Sequence, residues 1–298
     1  MATKDFWKGS DTYICDPQLA VAFQQARILG KPLLLEGEPG TGKTDLAIQF
    51  AASTGCSLFQ YPSSSKSSLE DVVARFDQVL YLTDAQMLVL RTQLQQQGAS
   101  QTLADSPRRI EHREDYLHFG PLAQAYQQKN TVLLIDEIDK APRHFPNDLL
   151  YILSQRRYVI PDTGTVISTT QEDMPTIVIT SNREQELPSA FLRRCVYHFI
   201  EFPSPESMRA IVAKHHPTVN PTLVQSALQI FYQLRNLHLE RLPSTSELLE
   251  WIAYVHTTTP GITKKDLEHL PGAGVLLKSV RDQPLRRSIE QHGVYRAQ

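Results

Sequence analysis

A glycine-rich segment near the start of the sequence has the residue types and the spacing that suit a phosphate chain. It completes the pattern G-x-x-x-x-G-K-[ST] with Gly37, Glu38, Pro39, Gly40, Thr41, Gly42, Lys43 and Thr44. Glycines let the backbone wrap tightly, so that its N–H groups can point inward at an anion. Lys43 can then reach the β- and γ-phosphates, and the Thr44 hydroxyl can bind Mg²⁺. The alternative is an ordinary turn between a strand and a helix.

The residues around this loop favour the phosphate-binding interpretation. The apolar run 33–35 predicts a buried parallel strand before the loop, and residues 44–54 predict a helix after it. Strand, glycine-rich loop and helix follow one another in this order in phosphate-binding loops. The helix would present its unpaired N–H groups and the positive end of its dipole to the same anion.

Two neighbouring carboxylates form a second candidate group. Four apolar residues, 132–135, lead directly into Asp136 and Glu137. Asp136 is placed to hold the Mg²⁺ shell, and Glu137 is placed to orient and activate a water for attack on the γ-phosphate. The alternative is a buried strand that ends in an acidic turn. Asp139 is expected to cap the helix near Pro142 rather than to take part in chemistry.

The elements that must position these residues alternate through the first 200 residues. The apolar patterns predict strands over 33–36, 58–61, 132–135, 176–180 and 196–199. They predict helices near 17–29, 44–54, 118–128, 143–155 and 188–193. This alternation predicts an α/β fold in which a mainly parallel five-stranded sheet has helices on both faces. Ligands in such folds bind beyond the carboxyl ends of the strands.

Two stretches interrupt the alternation, and a third ends it. Residues 62–119, which include a Gln-rich segment near 93–101, are an expected insertion, part helix and part loop. Residues 159–170 predict a β-hairpin. After residue 203 the pattern is helical, with Ser204 and Pro205 expected to open one helix and a capping box at Ser244–Glu247 another over 244–256. We therefore expect a core over 1–203 and an all-helical domain over 204–298.

Composition and charge limit the classes of partner. The formal charge is −2, from 30 basic and 32 acidic residues, so that no broad basic field argues for nucleic acid. The apolar runs are too short to cross a bilayer, and residues 1–6 lack the apolar core of a signal peptide. The cysteines, Cys15, Cys56 and Cys195, are widely separated and without C-x-x-C spacing. This usage predicts a reducing, cytoplasmic setting without a disulfide framework or a zinc site.

Together with the segments 180–182 (Thr-Ser-Asn) and 192–195 (Leu-Arg-Arg-Cys), the two motifs resemble those of AAA+ ATPases. The segments 136–142 and 187–195 are similar to the MoxR branch, in the clade with an insert in helix 2. The resemblance covers about residues 10–280. It implies a three-layer αβα P-loop core with a small all-α lid, and ATP and Mg²⁺ as ligands.

The resemblance also implies roles for single residues. Asn182 matches the sensor-1 position, where a neutral amide contacts the γ-phosphate or the lytic water; the alternative is an Asn in a turn. Arg194, with Arg193 as the adjacent candidate, matches the arginine finger that a subunit offers to its neighbour's nucleotide; the alternative is a basic surface pair. Tyr13 and Ile14 fall where the family's N-terminal segment passes the adenine, and simple packing is the alternative.

The sequence does not decide the roles of two regions. The family's sensor-2 Arg follows a Pro at the start of a lid helix, but Ser244 follows Pro243 here, so either Arg241 serves instead or lid closure is sensed differently. The insertion over 62–119 lies where the helix-2 insert of the family faces a pore or a partner. A merely tolerated insertion would look the same in the sequence.

The leading hypothesis is a ring-forming ATPase, a hexamer by family expectation, that remodels a partner protein as MoxR-like chaperones do. By analogy alone, the partner would carry a von Willebrand factor A domain. A DNA-associated motor or loader is the alternative, against which the charge balance and the lack of a recognisable DNA-binding module count. A third hypothesis is a nucleotide-gated scaffold that binds ATP but barely turns it over, and the Asp136–Glu137 pair argues against it. The residues alone do not decide between ATP and GTP, since no guanine-reading motif such as N-K-x-D is evident, and ATP is what the resemblance implies.

Overall fold

A computed structural model gives the structure of residues 7–96, 108–259 and 261–296. Residues 1–6, on which the signal-peptide expectation rests, and residues 97–101 of the Gln-rich segment lie outside these ranges. The described chain forms two compact units, one within residues 1–20, 36–50 and 199–298, and the other within 21–35 and 51–198. The domain division predicted near residue 203 stays a prediction.

Strands and helices alternate up to residue 200, and helices follow. The strands are β1 (Leu33–Gly37), β2 (Ser57–Pro62), β3 (Ala74–Phe76), β4 (Leu117–Phe119), β5 (Thr131–Asp136), β6 (Arg157–Val159), β7 (Val166–Ser168), β8 (Thr176–Ser181) and β9 (Val196–Ile200). The helices are α1 (Pro17–Leu29), α2 (Lys43–Thr54), α3 (Leu69–Val72), α4 (Gln78–Gln96), α5 (Pro121–Gln127), α6 (Phe145–Gln155), α7 (Ser189–Leu192), α8 (Pro205–His215), α9 (Pro221–Arg235), α10 (Thr245–Thr258), α11 (Lys264–Glu268) and α12 (Gln283–His292).

Five strands form the main sheet, as the sequence predicted, and their order is β2-β5-β8-β1-β9. Strand β5 runs parallel to both of its neighbours, β2 and β8. The apolar stretches 33–35 and 132–135 are fully buried, because helices cover the sheet and leave no polar face. The α/β P-loop class with further helices at the C-terminus is therefore confirmed. The sheet belongs to the second unit except for the last residues of β1 and β9.

The predicted helices of the first 200 residues all form, with one shifted start. The helix expected near 118–128 begins only at Pro121, because residues 117–119 pair with Ala74–Phe76 as a two-stranded antiparallel sheet. The sequence did not predict this small sheet, since strands of three residues are too short to establish an alternating pattern. It accompanies α3 and α4 in the insertion, whose helical part is confirmed.

The hairpin and the helix caps agree with their sequence signals. Strands β6 and β7 pair antiparallel, and Gly164 lies between them with φ +72°, a conformation that glycine adopts without strain. Ser204 Oγ accepts a hydrogen bond from Ser207 N at the start of α8. Ser244 and Glu247 form the predicted capping box of α10. The C-terminal helices enclose their own core, with Phe231 and Trp251 fully buried.

The cysteines are all free thiols, so that no disulfide joins them in the described chain. Burial raises the pKa of the Cys195 thiol to about 12, which keeps it protonated and unreactive near neutral pH. Among the helices of the described residues, none is both long enough and apolar enough to cross a membrane.

The junction between β4 and α5 gives a test of this packing. A Cβ added at Gly120 would lie 2.4 Å from the carbonyl oxygens of Asp71 and Val72, and Gly120 N also donates to Val73 O at 2.8 Å. We expect Gly120→Ala to lower the free energy of unfolding by about 1–3 kcal/mol, because backbone atoms must move to admit the methyl group. Urea unfolding followed by circular dichroism measures this.

The matched control is Gly274→Ala. Its added Cβ would meet only the Arg286 guanidinium, at 3.6 Å, and a flexible side chain can yield. A Gly120→Ala protein as stable as the Gly274→Ala protein would contradict the tight backbone junction.

Candidate nucleotide-binding site

The glycine-rich loop joins β1 to α2 and lies in the first unit. Gly40 and Gly42 have φ values of +76° and +85°, in the left-handed region that favours glycine. A Cβ at Gly40 would lie 2.5 Å from Ser244 Cβ, and a Cβ at Gly37 would lie 2.5 Å from Ile200 O. Glycine is therefore required for the backbone conformation and for the close approach of the C-terminal part of the chain.

Lys43 lies inside the loop rather than on its surface. Its side chain is 5% exposed, and Nζ donates to Gly37 O at 2.9 Å and to Glu38 O at 2.8 Å. Thr41 Oγ1 donates to the same Glu38 carbonyl at 2.9 Å. The buried ammonium group is thus hydrogen-bonded by the loop's own carbonyl groups. An anion entering the loop would compete for this positive charge.

The N-terminal segment passes next to the loop. The Tyr13 ring lies 3.3 Å from the position of a Cβ at Gly42 and stacks on Trp7 with ring centroids 5.7 Å apart. Burial, followed by the charges of Cys15 and Asp45, raises the pKa of Tyr13 far above its ordinary value, so its hydroxyl stays neutral. Ile14 is 39% exposed and keeps apolar surface available. The ring of Tyr13 therefore packs on the loop, while Ile14 is the freer of the two candidate adenine contacts.

The carboxylate pair lies in the second unit, where β5 ends. Thr180 Oγ1 donates to Asp136 Oδ1 at 2.6 Å and accepts from Glu137 N at 2.8 Å. Glu137 itself has φ 53° and ψ 51°, a left-handed conformation that costs a non-glycine residue free energy. The Thr180 hydroxyl fixes both members of the pair. No sequence pattern pointed to this role of Thr180, because the contact joins residues 44 positions apart.

The structure brings Glu137 and Asn182 together. Asn182 Nδ2 donates to Glu137 Oε1 at 2.8 Å, and Lys140 Nζ donates to Glu137 Oε2 at 2.6 Å. The hydrogen bond to Glu137 raises the pKa of Lys140, which therefore stays charged. Both carboxylate oxygens of Glu137 are thus engaged. The i,i+3 spacing of Glu137 and Lys140 is a sequence signal that could have identified this ion pair.

Asp139 does not cap the following helix, and the expectation that it would is wrong. It lies in the 3-10 turn Ile138–Lys140, while α6 begins at Phe145 without a side-chain cap. The Asp139 side chain is 2% exposed, and its Oδ2 accepts from Asn182 N at 3.1 Å and from Glu184 N at 2.9 Å. Two N–H groups of the loop after β8 need an acceptor, and this carboxylate supplies it. Asp139 therefore positions the backbone of Asn182.

The arginine-finger candidates follow α7 in the chain. Both Arg193 and Arg194 are exposed, and Arg193 is the C-cap residue of the helix. Exposure is what a residue that acts on a neighbouring subunit requires, and it equally fits a surface pair. Ser244, which occupies the expected sensor-2 place, is the N-cap of α10, and Arg241 is exposed.

The tether at Asp139 can be tested through the backbone groups that it holds. We expect Asp139→Ala to lower the free energy of unfolding by about 1–3 kcal/mol, because the N–H groups of Asn182 and Glu184 lose their buried acceptor. The hydrogen-exchange rates of these two amides should rise with it.

Asp139→Asn is the conservative control, since its amide oxygen can still accept a hydrogen bond, and its effect should be smaller. Unchanged exchange at Asn182 and Glu184 in the alanine variant would contradict the tether.

Two solved structures are similar in fold. One is a proposed ATPase from Cytophaga hutchinsonii, at 12% sequence identity and a TM-score of 0.43, over 74% of this chain and 60% of that chain. The other is a mutant RuvB from Thermotoga maritima, at 16% identity and a TM-score of 0.47, over 85% of this chain and 65% of that chain. The chain thus spans less than two thirds of the length of either.

A match to a sequence family shows which family the chain belongs to. The AAA domain of the dynein-related subfamily matches residues 32–195, which is more than half of the chain and includes the glycine-rich loop, the carboxylate pair and Asn182. The similarity to the MoxR branch stays a prediction. The chain belongs to the AAA domain family of the dynein-related subfamily.

Proposed function

We propose that the chain binds ATP with Mg²⁺ and hydrolyses it, and that it works in a ring that remodels a partner protein. The observation that carries the proposal is the Asn182–Glu137 contact of 2.8 Å directly after the strand end that bears Asp136. A carboxylate held in this way can orient a water, and an adjacent acidic residue can serve a metal. The glycine-rich loop supplies the complementary part, a binding place for the phosphates.

The residues present fit a magnesium-bound triphosphate. The left-handed φ values of Gly40 and Gly42 suit a backbone that wraps around an anion with its N–H groups pointing inward. The Thr44 hydroxyl and the Asp136 carboxylate are hard oxygen donors of the kind that Mg²⁺ prefers, together with substrate phosphates. When bound, Mg²⁺ would neutralise charge on the β- and γ-phosphate oxygens.

Each side chain then has a definite task. Lys43 Nζ exchanges its carbonyl partners in the loop for phosphate oxygens. Glu137 orients a water and accepts its proton as the water oxygen bonds to the γ-phosphorus and the bond to the ADP oxygen breaks. Asn182 holds Glu137 through Oε1, and Asp139 holds the backbone of Asn182. Lys140 occupies Oε2, so its ion pair must loosen if this oxygen is to receive the proton.

The wider assembly is proposed on the resemblance. A hexameric ring would bring Arg194 or Arg193 of one subunit to the nucleotide of the next, and the exposure of both residues supports this. The MoxR-like motifs support a chaperone role toward a protein with a von Willebrand factor A domain. The free thiols Cys15, Cys56 and Cys195 support a cytoplasmic setting.

A pair of variants separates binding from hydrolysis. Glu137→Gln keeps the shape of the side chain but removes the base, so ATP binding should stay within about threefold while turnover falls roughly 10²–10⁴-fold. Lys43→Ala should lose ATP binding. Isothermal titration calorimetry measures affinity, and phosphate release measures turnover.

Each variant can contradict one assignment. Normal turnover by Glu137→Gln would place the base elsewhere, and undiminished ATP binding by Lys43→Ala would remove the loop from the site.

Mixed rings test action across a subunit interface. Arg194→Ala should bind ATP and hydrolyse it poorly, with a loss of up to roughly 10³–10⁵-fold, because developing charge on the phosphoryl group is left uncompensated. Mixing Arg194→Ala with Lys43→Ala subunits should restore part of the activity, since some interfaces then combine an intact Arg194 with an intact loop.

Arg193→Ala is the matched control for the neighbouring residue. No restoration in rings proven to be mixed would argue against action in trans.

A further inference from the structure

Arg235, the last residue of α9, contacts the glycine-rich loop directly. Its Nη2 donates to Glu38 Oε2 at 2.5 Å, and the two residues are separated by 197 positions in the sequence. The side chain of Arg235 is only 10% exposed, whereas that of Glu38 is 47% exposed. A buried guanidinium therefore meets a half-exposed carboxylate that belongs to the loop itself.

The Arg235 side chain is held in this position by other contacts. Nη1 donates to Pro243 O at 2.6 Å, and the guanidinium carbon lies 3.4 Å from the centroid of the Phe202 ring. Stacking on an aromatic face and a carbonyl acceptor fix the planar group before it meets Glu38. Little side-chain entropy remains to be lost when the ion pair forms.

The same part of the chain approaches the loop at a second point. The carbonyl of Pro243 accepts the hydrogen bond from Arg235, and Ser244 is the next residue. The Cβ of Ser244 lies 2.5 Å from the position that a Cβ at Gly40 would take. The loop therefore meets the start of α10 through its backbone and the end of α9 through the Glu38 carboxylate. Both contacts lie within the first unit.

The charge of Glu38 is a difficulty for a loop that receives a triphosphate. Lys43 Nζ donates to the Glu38 carbonyl, and Arg235 forms an ion pair with the Glu38 carboxylate. An uncompensated carboxylate in the loop would repel the phosphates.

We propose that Arg235 is a positioning residue of the nucleotide site, which neutralises Glu38 and keeps its carboxylate turned away from the phosphates. The inference rests on the proposed function. It makes ATP affinity depend on a residue of α9 that need not touch the nucleotide.

A double-mutant cycle on the full-length chain tests this. Arg235→Gln should weaken ATP binding about tenfold, as expected of one partly screened charge near a polyphosphate. Glu38→Gln should weaken ATP binding less than Arg235→Gln does, because no uncompensated carboxylate then faces the phosphates. In the Glu38→Gln background, Arg235→Gln should change affinity by less than about threefold, because no carboxylate remains to be neutralised.

If Arg235 served only in packing, the double-mutant cycle would give a different result. The loss caused by Arg235→Gln would then be the same in both backgrounds, and this outcome, or no loss in either, would overturn the inference. Circular dichroism and thermal unfolding establish that each variant is folded.

A second pair of variants leaves Arg235 and its contacts with Phe202 and Pro243 in place. Glu38→Asp keeps the charge but is one methylene shorter, so it withdraws the carboxylate from Arg235 and should weaken ATP binding. Glu38→Gln removes the charge and should weaken ATP binding less than Glu38→Asp does. Equal affinity of Glu38→Asp and the parent would overturn the inference even if Arg235→Gln fails to fold.

Parent protein and Lys43→Ala distinguish failure of this inference from failure of the proposed function. If the parent binds no ATP, the proposed function fails. If the parent binds ATP, Lys43→Ala does not, and the Glu38 and Arg235 variants all bind as the parent does, only the role of Arg235 is wrong.

Discussion

The parallel pairing of β5 with β8 is the constraint on which the candidate catalytic group depends. Its register sets Leu134 opposite Val178 and Ile135 opposite Ile179, and both strands are buried. The next residues along each strand therefore emerge side by side, so that the Thr180 hydroxyl lies 2.6 Å from Asp136 Oδ1. A shift by one residue would turn these polar side chains toward the opposite face of the sheet. The polar contacts thus follow from hydrophobic burial.

Three neighbouring residues hold Glu137 in its strained backbone conformation through hydrogen bonds. Its left-handed conformation redirects the chain at the end of β5, and a non-glycine residue adopts it only where surrounding contacts determine it. Thr180 binds its N–H group, while Asn182 and Lys140 bind its two carboxylate oxygens. The side chain is therefore oriented before any ligand arrives, and preorganisation of this kind reduces the entropy lost on reaching a reactive geometry.

The sequence predicted what depends on local patterns. Apolar runs located every strand of the main sheet, and the spacing of Lys43 and Thr44 after the glycines identified the loop. It could not supply contacts between distant segments. Asp139 looks like a helix cap in the sequence, yet the N–H groups of Asn182 and Glu184, more than 40 positions away, take its carboxylate. The contact of Arg235 with Glu38 could not be predicted for the same reason, since 197 positions separate the two residues.

The glycine-rich loop owes its shape to more than its own glycines. Glycine adopts left-handed φ values without strain but adopts many other conformations as readily, so the sequence permits the loop conformation without enforcing it. The enforcing contacts come from later residues: Ile200 O closes on Gly37, Ser244 on Gly40, and Arg235 on Glu38. Movement of α9 or α10 would therefore change the loop through packed backbone and a charge pair at once. If the loop binds ATP as proposed, ATP binding and the position of these helices would bias each other in equal measure.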